Sequence, residues 1–131
     1  MNAQIRHTRV VNSQAPMPLG HYAQGVLHGD TLYVSGQLGV AKDTLAPESI
    51  TVGDQVAYAL DNIEAITRTV GASRSDVVKA TIYVTDISDW GEANKAYAAF
   101  FGDHKPARSV VPCKELHLGA KIEIEAIVAV A

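Results

Sequence analysis

The sequence predicts an α+β fold, a mixed sheet with two helices packed on one of its faces. Three observations carry this. Strand-like and helix-like segments follow one another in the order β-β-α-β-α-β-β, and the later strands alternate apolar and polar residues with period two. Right-handed crossovers in one sheet direction place both helices on the same side, as in a split β-α-β arrangement. A chain of 131 residues with 47% hydrophobic and 19% charged content has the profile of one globular domain, residues 1–131.

Each element has a local cause. The apolar runs Val26-Leu27 and Leu32-Tyr33-Val34 flank a turn containing Gly29 and Asp30, which reads as a β-hairpin leading into Ser35-Gly36-Gln37. After a loop holding Pro47, Thr51 is a plausible N-cap with Asp54 in the first turn. Val52, Val56, Ala59, Leu60, Ile63, Ile66 and Val70 then recur at helical spacing, and Gly71 is placed to end the helix. Val78, Ala80, Ile82 and Val84 alternate with Lys79, Thr81, Tyr83 and Thr85, which predicts a strand with the first set facing the core. Asp89 and Glu92 form a capping-box-like start to a second helix whose stripe is Trp90, Ala93, Tyr97, Phe100 and Phe101. Two strands, 107–116 and 121–130, close the chain, joined by a tight link at Leu118-Gly119-Ala120. Pro112 marks a bulge or an edge. With both helices on one face, the other face of the sheet stays bare. It still carries Ile127 and Ala129, so a closed homo-oligomer that covers it is expected.

Composition removes several function classes. No apolar run approaches the roughly 18–20 residues that span a bilayer, and residues 1–11 are polar rather than a secretion signal, so a cytoplasmic location and no membrane partner are expected. The one cysteine, Cys113, can form neither an internal disulfide nor a cysteine metal cluster, and reads as a small buried hydrophobe. A net charge of −3 and a pI near 5.9, with scattered Lys and Arg, argue against a nucleic-acid partner. The small basic group Arg6, His7 and Arg9 reads as a solvated edge-strand face. The histidines show no zinc-protease spacing, and Glu115 with His117 is the one strand-spaced pair, so no metal site is expected. Ser35 lacks a nucleophile elbow.

Two features at strand ends could carry chemistry. Arg108 opens a strand, where a guanidinium can clamp a carboxylate with two parallel hydrogen bonds; its plain alternative is a surface or interface arginine paired with an acidic neighbour. Glu123 and Glu125 share one face of the last strand while Ile122 and Ile124 point the other way. A partly buried carboxylate beside an arginine can polarise a water, and two glutamates on a solvated face are the plain alternative.

The blocks Gly20-His21-Tyr22-Ala23-Gln24-Gly25, Val34-Ser35-Gly36-Gln37, Asn94-Lys95-Ala96-Tyr97-Ala98-Ala99-Phe100-Phe101, Pro106-Ala107-Arg108-Ser109 and Lys121-Ile122-Glu123-Ile124-Glu125-Ala126 together resemble the RidA (YjgF-type) family. They appear in family order across nearly the whole chain. The resemblance implies a chorismate-mutase-like fold and a homotrimer with active sites in the clefts between subunits. It implies a cofactor-free deaminase that turns 2-imino and 2-enamino acids of the 2-aminoacrylate and 2-iminopropionate type into 2-keto acids and ammonia. In that scheme Arg108 binds the substrate carboxylate and Glu123 positions and activates the attacking water. Tyr22 covers the substrate, Ser35 lines the cleft, Asn94 braces it, and backbone groups at Ser109 and Val110 hydrogen-bond the imine nitrogen. Such imines already hydrolyse in water, so orientation suffices and no cofactor is needed. Two positions depart from the family pattern: Val110 stands where many members have cysteine, and His21 where many have proline.

Other readings on the same fold are a pathway-specific deaminase, a non-catalytic carboxylate-binding or chaperone-like trimer, and a ribonuclease. A pure binder needs the arginine and not the glutamate, and the acidic balance counts against RNA.

Overall fold

The computed structural model describes residues 7–40 and 50–131. Arg6 and the loop around Pro47 lie outside the described residues. Six strands, β1 (His7–Val10), β2 (Gly25–His28), β3 (Thr31–Leu38), β4 (Val77–Val84), β5 (Ala107–Pro112) and β6 (Ile122–Ala129), form one sheet in the order β1-β2-β3-β6-β4-β5. Helices α1 (Val52–Thr69) and α2 (Trp90–Phe101) connect β3 to β4 and β4 to β5. All neighbours are antiparallel except β4 and β5, so the sheet is mixed as expected. Strand β6 inserts between β3 and β4, which makes the β3-α1-β4 unit the split arrangement expected from the sequence.

The helices cover one face. Leu32 and Val34 of β3, Ala80, Ile82 and Val84 of β4, and Ile122, Ile124, Ala126 and Val128 of β6 are buried in one cluster with Val56, Leu60, Ile63 and Ile66 of α1 and Ala93, Tyr97 and Phe101 of α2. Each large aliphatic side chain removed from water in this way contributes about 1.5–3 kcal/mol before the entropy of ordering it. Thr51 caps α1, its hydroxyl accepting from the Asp54 N–H at 3.1 Å. Gly71, at φ +79°, follows the helix end and donates to the Arg68 carbonyl. Two buried amides tie α1 to the sheet ends. The Gln55 side chain accepts from the Lys121 N–H at 2.9 Å, and Asn62 donates to the Val40 carbonyl at 2.8 Å. Gly39 allows this approach, because a Cβ there would stand 2.3 Å from the Gln55 Cβ. Among the described residues no helix is long and apolar enough to cross a membrane.

The hairpin, both helices and the edge position of Pro112, last residue of edge strand β5, follow the sequence reading. Several details do not. A further strand, β1, precedes the hairpin and pairs with β2; its exposed His7 and Arg9 are the solvated edge face expected there. Val78 does not face the core. A register shift between Val77 and Lys79 buries Val77 and leaves Val78 49% exposed, because a bulge inverts the alternation on one side of itself. The capping box of α2 is absent: Asp89 makes no side-chain cap, and Glu92 instead accepts from the Gly53 N–H at the start of α1, at 2.6 Å. That carboxylate thus meets a helix N-terminus belonging to the other helix. Trp90 lies largely outside the apolar stripe at the solvent-facing start of α2, while Phe100 is half-buried. The strand expected over 107–116 stops at Pro112, which lacks the N–H to continue a ladder. Finally, β5 and β6 are not neighbours; β4 lies between them, and the connection turns through His117–Gly119. Cys113 is half-buried and donates its N–H to the Val84 carbonyl.

Candidate functional site

The open face of the sheet holds a pocket of about 470 Å³ whose lining includes Met17, Tyr22, Ser35, Gly36, His117 and Glu123. Its floor comes from β3 and β6, where Leu38 stands opposite Glu123 and the pairing shifts between Val34 and Gln37. Ser35 and Gly36 occupy that irregularity, which re-aims both out of the regular ladder. The Ser35 hydroxyl donates to the Ala23 carbonyl at 2.6 Å and its N–H to the Gln24 carbonyl, so Ser35 anchors the segment carrying Tyr22. Gly36 lies against the Glu123 carboxylate. A Cβ at Gly36 would come within 2.6 Å of Glu123 Oε1, so only glycine leaves the carboxylate where it is.

The outer wall is the segment from Asn12 to Gln24, which the buried amide of Gln24 holds shut. Its Oε1 accepts from the Asn12 N–H at 2.6 Å, and its Nε2 donates to the Pro16 and Asn12 carbonyls at 2.9 and 3.2 Å. Tyr22, 50% exposed, stands over the pocket mouth, its hydroxyl 3.4 Å from the Leu19 N–H that donates to it. On the far side His117 precedes Leu118, a non-glycine residue at φ +60°, a left-handed conformation costing about 1–2 kcal/mol.

Glu123 is half-buried and, among the described residues, receives no hydrogen bond and no ion pair. Burial raises its carboxyl above the ordinary carboxylate value, the negative neighbour Glu125 adds to this, and His117 pulls in the opposite direction. A carboxylate in that condition holds protons more readily than a solvated one, the property a base near neutral pH needs. Glu125 points the same way from the strand and accepts a 2.6 Å hydrogen bond from the Tyr83 hydroxyl.

Arg108 lies elsewhere. It pairs with Ala80 across β4 and β5, and Ala80 pairs with Ala126, so Arg108 is on the helix-covered side, whereas Glu123 and its cross-strand partner Tyr83 are on the open side. The Arg108 guanidinium donates to Asn94 Oδ1 at 2.8 Å and lies 4.8 Å from the Tyr97 ring centroid and 5.7 Å from that of Trp90. No carboxylate neutralises it: both ion pairs among the described residues are made by Glu64, with Arg68 and Arg74. Within one copy, and among the described residues, Arg108 therefore has no acidic partner. Strand β5 is a sheet edge, so part of its backbone at Ser109 and Val110 has no partner strand. Val110 packs toward the core, and Ser109 is exposed on the open side.

The chain thus gathers the expected residues into two groups. Tyr22, Ser35 and Glu123 meet at the pocket; Arg108 and Asn94 meet at the β5 edge, with Ser109 and Val110 beside them; one copy does not join the groups. Sequence reasoning gave no role to Gly36, Gln24 or His117. Gly36 and Gln24 lay inside recognisable blocks, and their signal was a residue type unusual in a strand and at a strand entrance. In the sequence, His117 stands out only by its strand spacing from Glu115. Among the described residues no three His, Cys, Asp or Glu side chains converge as metal ligands would.

Residues 12–130 match the family model described as Endoribonuclease L-PSP. A RutC family protein from Pyrococcus horikoshii is 37% identical over 118 residues, covering 90% of this chain and 94% of its own length. The 2-iminobutanoate/2-iminopropanoate deaminase of Escherichia coli is 39% identical over 121 residues, covering 90% and 94%. The crystal structure of Escherichia coli TdcF with bound serine superposes with a TM-score of 0.88 at 35% identity, covering 95% of this chain and 99% of that one. The chain therefore belongs to the Endoribonuclease L-PSP family, the RidA (YjgF-type) proteins whose signature blocks run through its sequence.

Proposed function

We propose that this protein is a hydrolytic deaminase that converts reactive 2-imino and 2-enamino acids to 2-keto acids and ammonia, in a cleft shared by two copies of the chain. The observation that carries this is a pair of unneutralised opposite charges on opposite faces of one sheet: a braced Arg108 guanidinium with no carboxylate, and a half-buried Glu123 carboxyl with no cation. A closed homotrimer, in which the β5 edge of one copy meets the open face of the next, joins the two groups and covers the apolar side chains of that face.

The chemistry follows from what each group can do. Arg108 takes the substrate carboxylate in two parallel hydrogen bonds, which orient as well as bind. Backbone groups at Ser109 and Val110 hold the imine nitrogen, Tyr22 closes over the substrate, and Ser35 and Asn94 keep the two walls in place. Glu123 orients a water and accepts its proton as the water oxygen bonds to the imine carbon, while the C=N π pair moves onto nitrogen. Glu123 then returns the proton to that nitrogen. The hydroxyl then passes its proton through Glu123 to the same nitrogen as the keto group forms, and the C–N bond breaks with its electron pair leaving on ammonia. One water is consumed and no oxidation state changes, so orientation is the main requirement. Similarity to a protein named as an imine deaminase, and to one crystallised with serine, a small 2-amino acid, supports the substrate class. The family description names a ribonuclease, but a net charge of −3 offers little for a phosphate backbone.

The test is ammonia release from 2-iminopropionate generated in situ by an amino-acid oxidase. Wild type accelerates release, and Arg108→Ala and Glu123→Gln each lose about a hundredfold or more in kcat/KM. Refolding the two inactive variants together in equal amounts restores about a quarter of wild-type activity, because that fraction of clefts draws both intact residues from different copies. No recovery in verified mixed oligomers rules out the shared cleft; no acceleration by wild type rules out the deaminase.

A further inference from the structure

We propose that Glu125, held by Tyr83, is a positioning residue that keeps a negative charge facing Glu123 and thereby sets the pH range over which Glu123 exchanges protons. The proposal rests on the role given to Glu123 above. The two glutamates alternate with Ile124 on β6, so both side chains leave the strand on its open face, about 7 Å apart along it. Tyr83 stands directly opposite Glu123 in the pairing of β4 with β6. Its hydroxyl nevertheless reaches diagonally past Glu123 and donates to Glu125 Oε1 at 2.6 Å, within the short range of a charge-assisted O–H···O contact. That bond holds the Glu125 carboxylate on the open face of the strand, on the same side as Glu123.

Within one copy Glu125 is the principal charged influence on Glu123, with Lys79 of β4 lining a hollow beside Glu125. In the shared cleft proposed above, the Arg108 guanidinium of the neighbouring copy adds an opposite charge that stays the same across the variants compared below. From the connection before β6 comes His117, which acts in the opposite sense; from β4 comes Tyr83, with Cys113 beside it; from the loop before β2, Tyr22 lines the same pocket. No lysine or arginine pairs with either glutamate among the described residues. Two directions follow from the same geometry. The Tyr83 hydroxyl is held above the ordinary phenol value, first of all by its bond to Glu125, and Glu123 is raised by burial and then by Glu125. A group that must take a proton from water and return it to an amine gains from such a neighbour, because its basicity moves toward the working pH.

The experiment compares wild type with Glu125→Gln and Tyr83→Phe in the intact oligomer, using two readouts. One is the pH profile of kcat/KM on 2-iminopropionate generated in situ. The other is the carboxyl-carbon NMR titration of Glu123, identified by its loss in Glu123→Gln, which needs no substrate. Glu125→Gln moves both the acidic limb of the profile and the Glu123 titration to lower pH, and Tyr83→Phe moves them less in the same direction by freeing Glu125 to swing away. An unmoved Glu123 titration in Glu125→Gln overturns the proposal. A titration that moves while the acidic limb stays fixed leaves the coupling standing and overturns the proton-exchange role of Glu123.

Discussion

The two faces of the sheet are built from the same strands and differ in what they leave unfinished. On the helix-covered face, Leu32, Ile82, Ile122, Ile124 and Val128 are fully buried, and the chain supplies every group that covers them. On the open face the intervening positions are Tyr33, Tyr83, Glu123, Glu125 and Ile127, partly or largely exposed, with two carboxylates held among aromatic and aliphatic side chains. The first face completes a fold. The second has too much apolar surface for a solvated sheet and too much charge for a core, the mixture expected where a neighbour's surface and a small polar ligand share one site.

The largest expected effect tests whether the first face alone holds the chain together. Ile82→Ala, at a site with no exposure in the middle of β4, destabilises by about 3 kcal/mol in urea unfolding, through lost burial and the cavity left behind. Tyr33→Ala on the open face changes subunit unfolding by less than about 1 kcal/mol and instead lowers the mass seen in sedimentation at low concentration. If the two variants unfold alike, the open face is part of the chain's own core and the contrast fails.

A smaller effect separates fold from chemistry at one atom. Gly36→Ala introduces a Cβ 2.6 Å from Glu123 Oε1, the far end of a flexible side chain that can swing aside, so the thermal midpoint stays close to wild type. The carboxylate does not stay where it was, and kcat/KM falls about tenfold to a hundredfold, the cost of misplacing a positioning group. The same change at Gly39 has the reverse signature. There the new Cβ meets the Gln55 backbone, at 2.4 Å from its Cα, and neither partner can swing away, so the loss is in stability. A Gly36→Ala variant with full activity and a lowered midpoint removes Glu123 from the chemistry.

What could be read from the sequence follows the same division. The helix-facing positions announced themselves, because a stripe such as Val56, Leu60, Ile63 and Ile66 or an alternation such as Ile122, Ile124 and Ala126 has one explanation, burial inside the chain. Errors arose where a local pattern had a tertiary competitor. Glu92 sat at capping-box spacing and was taken by the N-terminus of α1 instead. Val78 kept the alternation in sequence and lost it to a bulge. Strand order was out of reach because the insertion of β6 between β3 and β4 is decided by contacts far apart in the chain. The site was half legible. Arg108 and the pair Glu123 and Glu125 could be picked out by type and position, and the family resemblance chose Glu123 from the pair, but the separation of Arg108 from Glu123 by the sheet needs the pairings of Ala80 and Tyr83 to be known.

The smallest effect lies on the covered side, at its rim, and asks whether charge matters there at all. Glu64 on α1 accepts two hydrogen bonds from Arg74, at 2.5 and 2.8 Å, while Arg74 also donates to the Phe100 carbonyl and lies 3.9 Å from the Phe100 ring centroid, tying α1 to the end of α2. The hydrogen bonds from Arg74 hold the Glu64 carboxyl below its ordinary value of 4.5, against an opposing contribution from burial. A group depressed in the folded state contributes stability above its unfolded value, and that contribution disappears as pH falls through the folded one. The Arg74 side chain is 41% exposed, so solvent screening limits the contribution to about 1 kcal/mol or less. Glu64→Gln therefore unfolds at slightly lower urea than wild type at neutral pH, and the gap closes on acidification below 4.5. A gap that persists in acid assigns the role of Glu64 to shape and neutral hydrogen bonding, leaving the open face as the part of this molecule where charge decides behaviour.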